Sequence, residues 1–545
     1  MSTNMSKQKR EEFITKIKSI RSFIAKADQD ENTGNLLAYL SELEKEVKGK
    51  KYGLVFEKHR ESIDDVLKTH TPVLKEQKNL FIDNGGQMNF LIEGDNLAAL
   101  ELLQKTHKGK IDLIYIDPPY NTLKEGFTYS DALVDKNDTF RHSKWCSFMS
   151  PRLKIAKNLM AKSSAIFISI DDNEVGALRM LCDEIFGHQN FVANVIWEKK
   201  FSPQNDAKWL SDSHDHILVY AKNKETWHPN LLARTENMDS RYSNPDGDTR
   251  GVWASSDFTV KTASQAYMYP IVTPSGRTVM PTPSRSWVTS EENYLALKAD
   301  NRIWFGKNGN NVPRIKTFLS EVQQGTVCKT IWYRSEVGDT QEGTRNLKSV
   351  FGEAGMFTNP KPLRLLERII EIASKPNATV LDFFAGSGTT GQAVFKYNAE
   401  HAGSKRKFIL CTNNQNNICR NVTYERCKRV IEKENYVASL KYYKIEYIPI
   451  SEQLYYEYAD QLLLHIRELV ELENGINFIG NAKIAIVLTE EELTTFIGNV
   501  DNFKKCRKIY LGHDVLLDGE QESILKERRI KVNIIPDYYY KELEG

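Results

Sequence analysis

Residues 111–120 read Ile-Asp-Leu-Ile-Tyr-Ile-Asp-Pro-Pro-Tyr. An apolar, isoleucine-rich run without internal glycine or proline is the pattern of a buried strand, and two consecutive prolines end it. The chain therefore leaves a sheet at Asp117. In open α/β sheets ligands bind in the crevice outside the carboxyl ends of the strands. Asp117 is expected at that edge, followed by Pro118 and Pro119, whose nitrogens donate no hydrogen bond, and by the ring of Tyr120. A carboxylate, the bare carbonyl of Pro118 and an aromatic face make a receptor for a planar amine: the acceptors take hydrogen bonds from an exocyclic amino group while the ring stacks on the plane that carries it. A strand ending in a Pro-Pro turn with Asp117 as a cap has the same local pattern, so the reading calls for a second site.

That second site lies at residues 379–391, Thr-Val-Leu-Asp-Phe-Phe-Ala-Gly-Ser-Gly-Thr-Thr-Gly. An apolar strand runs into Gly386, Gly388 and Gly391, a GxGxxG signature that opens a helix. Close backbone approach to a ligand at Gly386 and Gly388 is its physical content, and it suits a dinucleotide or an adenosyl cofactor alike. It is not a P-loop, since no Gly-Lys-Ser/Thr follows. The next strand, residues 407–411, is expected to end in an acid for ribose hydroxyls, but offers Thr412-Asn413-Asn414-Gln415, amides that bond without charge. Upstream, Asn359-Pro360-Lys361-Pro362-Leu363 starts an amphipathic helix over 365–373, whose start is expected to help line the cleft.

Between the two sites the pattern is that of an α/β protein. A strand ending at Gly94-Asp95-Asn96 and a leucine-rich helix form a βαβ unit with the strand of Asp117. Asp95 is thus expected next door to Asp117 in the sheet, as a helix cap or a ligand contact. Phe127, Tyr129, Asp131, His142 and Trp145 read as an aromatic loop, and a helix follows over 149–161. The strand at 165–170 runs into Asp171-Asp172-Asn173-Glu174, and 191–198 with 217–221 read as a closing antiparallel pair. His214 and His216 flank Asp215 with no third ligand in the sequence, so no metal site is expected.

From residue 199 to about 348 the strand-helix alternation stops. Residues 258–290 and 301–320 contain no acid. They carry Lys261, Arg277, Arg285, Arg302, Lys307, Arg314 and Lys316 among Tyr267, Tyr269, Trp287, Trp304 and Phe305. Cations for phosphates, arginines for base edges and rings for stacking are the mixture of a nucleic-acid reader.

The chain of 545 residues has room for several domains, and its formal charge of +2 advertises no polyanion as a whole, so any such site is a local patch. Seven cysteines without CxxC pairs read as reduced thiols of a cytoplasmic protein. The N-terminus has no apolar signal core, and no apolar run is long enough to span a bilayer. Residues 7–48 read as two helices broken at 28–34. The tail from 452 reads as a small α/β module without a chemical constellation.

In order, the motifs LIEGDN, KIDLIYIDPPYNT, FISIDDNE, NPKPLRLLERII and LDFFAGSGTTG resemble the β group of amino-DNA methyltransferases, whose catalytic half precedes the cofactor half with a recognition region between. More closely, the chain resembles the modification subunit of type III restriction-modification systems. The resemblance covers the chain from about residue 52 to the tail. It implies a circularly permuted, Rossmann-like α/β fold with an inserted, mainly β target-recognition domain. It also implies an adenine-specific DNA methyltransferase that uses S-adenosylmethionine on double-stranded DNA, commonly as a homodimer with a separate ATP-dependent restriction subunit. By matching position, Asp117, Pro118, Pro119 and Tyr120 correspond to the catalytic motif. Phe383, Gly386 and Gly388 match the cofactor motif and Lys361 the segment ahead of it, and Asp95, Thr389 and Asn413 complete the candidate cofactor contacts. Arg277, Arg285, Arg302, Lys307, Arg314 and Lys316 are the candidate DNA contacts. The family usually has a glutamate near Gln415. The expected domains are a helical segment 1–75, a catalytic half 76–225, a recognition domain 226–350, a cofactor half 351–445 and a C-terminal α/β module 446–545. A solitary or type II enzyme, a cytosine-N4 methyltransferase, a dinucleotide oxidoreductase and an inactive DNA-recognition subunit remain open alternatives.

Overall fold

The computed structural model describes residues 5–26, 32–48, 56, 59–122, 140–203, 207–353, 355–450, 455–479, 481–499 and 504–540. The chain divides into two compact units: Met1–Trp227, Ile331–Glu367 and Lys375–Gly545 form the first, and His228–Thr330 with Arg368–Ser374 form the second.

The first unit is built on a ten-stranded sheet. Its strands are β1 (His70–Glu76), β2 (Gln87–Glu93), β3 (Ile111–Ile116), β4 (Met160–Ile170), β5 (Phe191–Glu198), β6 (His214–Ala221), β7 (Ile331–Trp332), β8 (Thr379–Asp382), β9 (Lys407–Thr412) and β10 (Ala438–Pro449). They lie in the order β1-β10-β2-β9-β8-β3-β4-β6-β5-β7. The six from β10 to β4 are mutually parallel, and β6 runs against both β4 and β5. Parallel strands covered on both faces read as continuous apolar runs, which is why the central strand is so legible: Ile111, Leu113, Ile114 and Ile116 are fully buried. Helix α1 (Asn96–His107) returns the chain from β2 to β3, and Leu100 and Leu103 on it join Ile114, Ile116 and Ile168 in the main core.

The sheet order corrects one expectation. The strand that leads to Asp95 is not beside the strand of Asp117, because β9 and β8 lie between them. The βαβ crossover skips two places that later segments of the chain fill, so the glycine-rich β8 becomes the direct neighbour of β3, with Val380 opposite Leu113 and Leu381 opposite Ile114. The expected domain limits also shift. β1 belongs to the main sheet rather than to a separate N-terminal segment, and β10 runs past residue 445. β7 pairs with β5, so residues 331–350 belong to the first unit and not to the insertion.

Helices Met5–Lys26 and Thr33–Lys48 form the N-terminal pair. The tail carries a three-stranded parallel sheet of Ile484–Val487, Lys508–Gly512 and Lys531–Ile535 with helices Glu490–Gly498 and Gly519–Glu527. Its long expected helix is two, Tyr455–Leu463 and Ile466–Asn474. The second unit is built of short two- and three-stranded sheets around Phe258, Tyr269, Trp287, Tyr294 and Phe305. All seven cysteines are free, and no helix among the described residues is long and apolar enough to cross a membrane.

Candidate active site

β3 and β8 are adjacent and parallel, so the loops that leave their carboxyl ends emerge at one edge of the sheet. A cavity of about 490 Å³ opens there, lined by Asp117, Pro118, Pro119 and Tyr120 after β3, and by Asp382, Gly386, Ser387 and Thr389 at and after β8. Lys361, Trp197, Lys199 and Asp215 complete the wall. The two stretches singled out in the sequence, more than two hundred residues apart by their numbers, share one space.

The Asp-Pro-Pro-Tyr loop is held from behind. The Trp145 indole donates to the carbonyl of Pro119 at 2.7 Å. Asn121 has a left-handed φ of 56°, which asparagine tolerates better than most residues, and its amide donates to Glu174 at 2.6 Å. The same Glu174 oxygen lies 2.8 Å from His142 Nδ1. Glu174 is fully buried, and burial raises its pKa against the pull of Asn121 and His142. His142 and Trp145, expected in a loop, sit on the helix Arg141–Leu159; Phe127, Tyr129 and Asp131 lie outside the described residues. Inside the cavity, Asp117 Oδ2 is 2.6 Å from Lys361 Nζ. Asp117 Oδ1 and the Tyr120 hydroxyl are buried without a hydrogen-bond partner. Burial, then the charge of Asp117, keeps the Tyr120 phenol far above its ordinary range, so it stays neutral.

The glycine loop is clamped by residues that no sequence motif singles out. Gly386 and Gly388 have φ of 48° and 74°, a region where an L side chain is strained. The Thr423 hydroxyl donates to the Gly386 carbonyl at 2.6 Å. Arg426, fully buried, donates to the Ser387 carbonyl at 3.1 Å, the Thr389 hydroxyl at 2.7 Å and Gln392 at 2.7 Å. Burial lowers its pKa to about 10, which leaves it a cation at neutral pH. Asp382 closes β8: Thr390 Oγ1 and the Phe384 amide donate to it at 2.6 and 3.0 Å, and burial pushes its carboxyl up to about 7.

Lys361, Gly386 and Thr389 thus line the cavity, whereas Asp95, Phe383, Gly388 and Asn413 do not. Asp95 caps α1 by accepting from the Leu97 amide at 2.7 Å. Phe383 is fully buried in the core. Asn413 and Asn414 spend their carbonyls on the amides of Gln415 and Arg420, and Asn416 and Asn417 adopt left-handed φ of 53° and 59°. The asparagine run shapes a turn. In the same edge row, Glu93 pairs in register with Thr412 and accepts from the Tyr442 hydroxyl.

The expectation that no third metal ligand accompanies His214 and His216 is corrected: β4 and β6 pair with Ile170 opposite His216, which brings Asp172 within 4.8 Å of both. His216 Nε2 hydrogen-bonds Asp172 at 2.9 Å.

Three of the six cations expected at DNA are already paired within the second unit. Lys316 is buried against Asp246 and Asp248, so it presents nothing to a phosphate. Arg302 is held by Asp300 and Glu321, and Arg314 by Asp257 and Ser255. Arg277, Arg285 and Lys307 have no ion-pair partner among the described residues. Of the rings expected to stack on bases, Tyr269, Trp287 and Phe305 belong to the unit's core.

A family model described as DNA methylase matches residues 111–423. The chain belongs to this DNA methylase family. It is 38% identical over 363 residues to the type III restriction-modification enzyme StyLTI Mod subunit of Salmonella typhimurium, covering 62% of this chain and 54% of that one. It is 34% identical over 386 residues to the EcoPI Mod subunit of Escherichia phage P1, 60% of this chain and 58% of that one. The type II methyltransferase M.KpnI of Klebsiella pneumoniae is 31% identical over 415 residues, 70% of this chain and 94% of that one. The chain therefore spans little more than half the length of these Mod subunits but nearly all of the type II relative. Among solved structures, a putative DNA modification methylase from Thermus thermophilus complexed with S-adenosyl-L-methionine aligns at a TM-score of 0.32 and 13% identity, over 65% of this chain and 99% of that one. The PvuII cytosine-N4-specific DNA methyltransferase aligns at 0.34 and 12%, over 66% and 96%.

Proposed function

We propose that this chain is a site-specific DNA methyltransferase that moves a methyl group from S-adenosylmethionine to the exocyclic amino group of adenine, as the modification subunit of a type III restriction-modification system. The observation that carries the reading is the opening of the Asp117–Tyr120 loop and the Gly386–Thr389 loop into one cavity.

The chain's residues fit the cofactor. Gly386 with its positive φ, held by Thr423, and Thr389, held by Arg426, present a fixed backbone cradle beside an unpartnered carboxylate oxygen. When bound there, S-adenosylmethionine would supply an electrophilic methyl group on a sulfonium sulfur, with the neutral thioether S-adenosylhomocysteine as the leaving group. The chain does the rest by placement. Tyr120 offers a neutral aromatic face to the extruded base. Asp117 and the carbonyl of Pro118 accept the amino hydrogens, which turns the nitrogen lone pair toward the methyl group; after transfer the nitrogen sheds its extra proton to Asp117 and thence to water. No covalent enzyme intermediate is needed, and the burial that raises the thiol pKa of Cys146, Cys411 and Cys427 agrees with that. Orientation and preorganised electrostatics then supply the acceleration. The assembly we propose is a homodimer in the cytoplasm on double-stranded DNA, with a separate ATP-dependent restriction subunit.

The test is sequencing of genomic DNA, by a method that detects methylated bases, from a methylation-free host expressing the chain. Methyladenine on one strand of a single asymmetric motif is expected. Methylcytosine would replace the base assignment, and unmodified DNA with folded protein would overturn the activity.

A further inference from the structure

Lys361 reaches into the cavity from the segment that precedes the cofactor half. Its ammonium lies 2.6 Å from Asp117 Oδ2, 5.1 Å from the centroid of the Tyr120 ring and 5.9 Å from that of Trp197. One cation thus occupies the acceptor and the aromatic face that the target amino group requires in the reading above. The other Asp117 oxygen and the Tyr120 hydroxyl are buried without a hydrogen-bond partner of good geometry, so the carboxylate keeps an unspent acceptor.

The backbone that carries Lys361 is fixed. Prolines flank it on both sides, each with a set φ. The Thr389 hydroxyl donates to its carbonyl at 3.5 Å. The helix Thr340–Phe351 presses on the same strap so closely that a Cβ at Gly343 would stand 2.0 Å from the Pro360 carbonyl oxygen. Movement is left to the side chain, a flexible four-carbon stem with a compact charge.

The surrounding charges single out the pair. Among the acids that line the cavity, Asp215 and Asp212 share Lys199 at 2.6 and 2.8 Å. Asp171 accepts from Asn173, and Asp382 accepts from Thr390 and the Phe384 amide. Lys361 is the one cation paired with Asp117 among the described residues.

We propose that Lys361 is a positioning residue for methyl transfer: it holds Asp117 aimed while the target site is empty, standing where the target amino group will stand, and yields that place when the base arrives. The proposal rests on the methyl-transfer reading and assigns Lys361 to the target side of the cavity rather than to the cofactor. Without the ammonium, Asp117 Oδ2 loses its partner, and the carboxylate is no longer held on the side where the target amino group arrives.

The experiment measures tritiated methyl incorporation from S-adenosylmethionine into genomic DNA of a methylation-free host, with the full-length chain, its Lys361→Met variant and its Lys361→Arg variant. Calorimetric titration with S-adenosylhomocysteine runs in parallel. For Lys361→Met, kcat/KM for DNA at neutral pH is expected to fall about 10- to 100-fold, while kcat at saturating DNA stays within about threefold. S-adenosylhomocysteine affinity is expected to stay within about threefold, which also reports a folded cofactor half. Lys361→Arg, which keeps a cation on the same strap, is expected to hold kcat/KM within about fivefold of wild type. An unchanged kcat/KM in Lys361→Met, a kcat that falls as far as kcat/KM, or a variant that loses only S-adenosylhomocysteine affinity overturns the proposal while the methyl-transfer reading stands on the wild-type incorporation. Absent wild-type incorporation overturns that reading, and this proposal with it.

Discussion

Asp117 has one oxygen on an ammonium and the other buried without a hydrogen-bond partner. For a carboxylate whose work is to accept a proton-bearing group, removing it removes the acceptor and leaves Lys361 unpaired. Asp117→Ala is expected to lower turnover at least about a thousandfold while DNA retention on a filter stays near wild type; incorporation within tenfold of wild type would remove Asp117 from the reaction. Arg426 acts from behind the cofactor loop through its bonds to Ser387, Thr389 and Gln392. Hydrogen bonds from a buried charged group are worth about 1.5–3 kcal/mol each, so Arg426→Met is expected to weaken S-adenosylhomocysteine binding about 10- to 100-fold, read by calorimetry, while the sheet still folds. The glycines and prolines of the site were legible because each imposes its own backbone geometry. Arg426 and Thr423 were not, because an arginine and a threonine in helical or turn-rich sequence say nothing of the loop they will touch; Trp145 was noticed as a loop ring, but only the tertiary fold puts it on a helix behind Pro119.

At the level of elements, the buried strands and the helices between them could be read from periodicity, and their neighbours could not. Asp95 looked adjacent to Asp117 because sequence proximity favours adjacent pairing, whereas β8 and β9 bury their apolar faces in the gap and displace that contact. The two acid-free runs misled in a similar way. Asp246, Asp248, Asp257, Asp300 and Glu321 stand outside those runs in sequence but fold back onto Lys316, Arg314 and Arg302. The unpaired cations and the paired one should therefore behave differently. Each neutralised phosphate contributes close to one unit to the salt dependence of DNA binding. Arg277→Ala and Lys307→Ala are each expected to lower the slope of log K against log salt by about one, whereas Lys316→Ala is expected to leave the slope unchanged. Lys316→Ala is instead expected to lower the thermal stability of the second unit, since it takes the buried ammonium from Asp246 and leaves that acid with the Trp253 indole alone among the described side chains. A reduced slope for Lys316→Ala with unchanged stability would return it to the DNA surface.

Across the whole molecule, the sequence shows the permuted order of the two halves through its motifs, but not what fastens the tail to them. The helix Ile466–Asn474 does so with two acids. Glu471 is fully buried and accepts from Lys441 and Tyr443 of β10 at 2.7 and 2.8 Å. Glu473 accepts from Tyr510 and Tyr539 of the C-terminal module, each at 2.7 Å, and pairs at 3.1 Å with Lys110, which directly precedes β3. Burial opposes the charge of Glu473, but the hydrogen bonds of Tyr510 and Tyr539 and the ammonium groups of Lys110 and Lys508 outweigh it and hold the carboxyl down at about 2. A folded-state value below the ordinary 4.5 means that the contribution is complete above that value and is lost as the pH falls from there through about 2. Glu473→Gln keeps the shape and one acceptor but removes the charge. It is expected to cost about 3 kcal/mol near neutral pH, with the difference from wild type shrinking as the pH falls below about 4. Urea denaturation at pH 7 and at pH 3 measures both values. Equal losses at the two pH values would mean that the glutamate acts by shape alone, and no loss at either would mean that the tail is held by its apolar contacts without this acid.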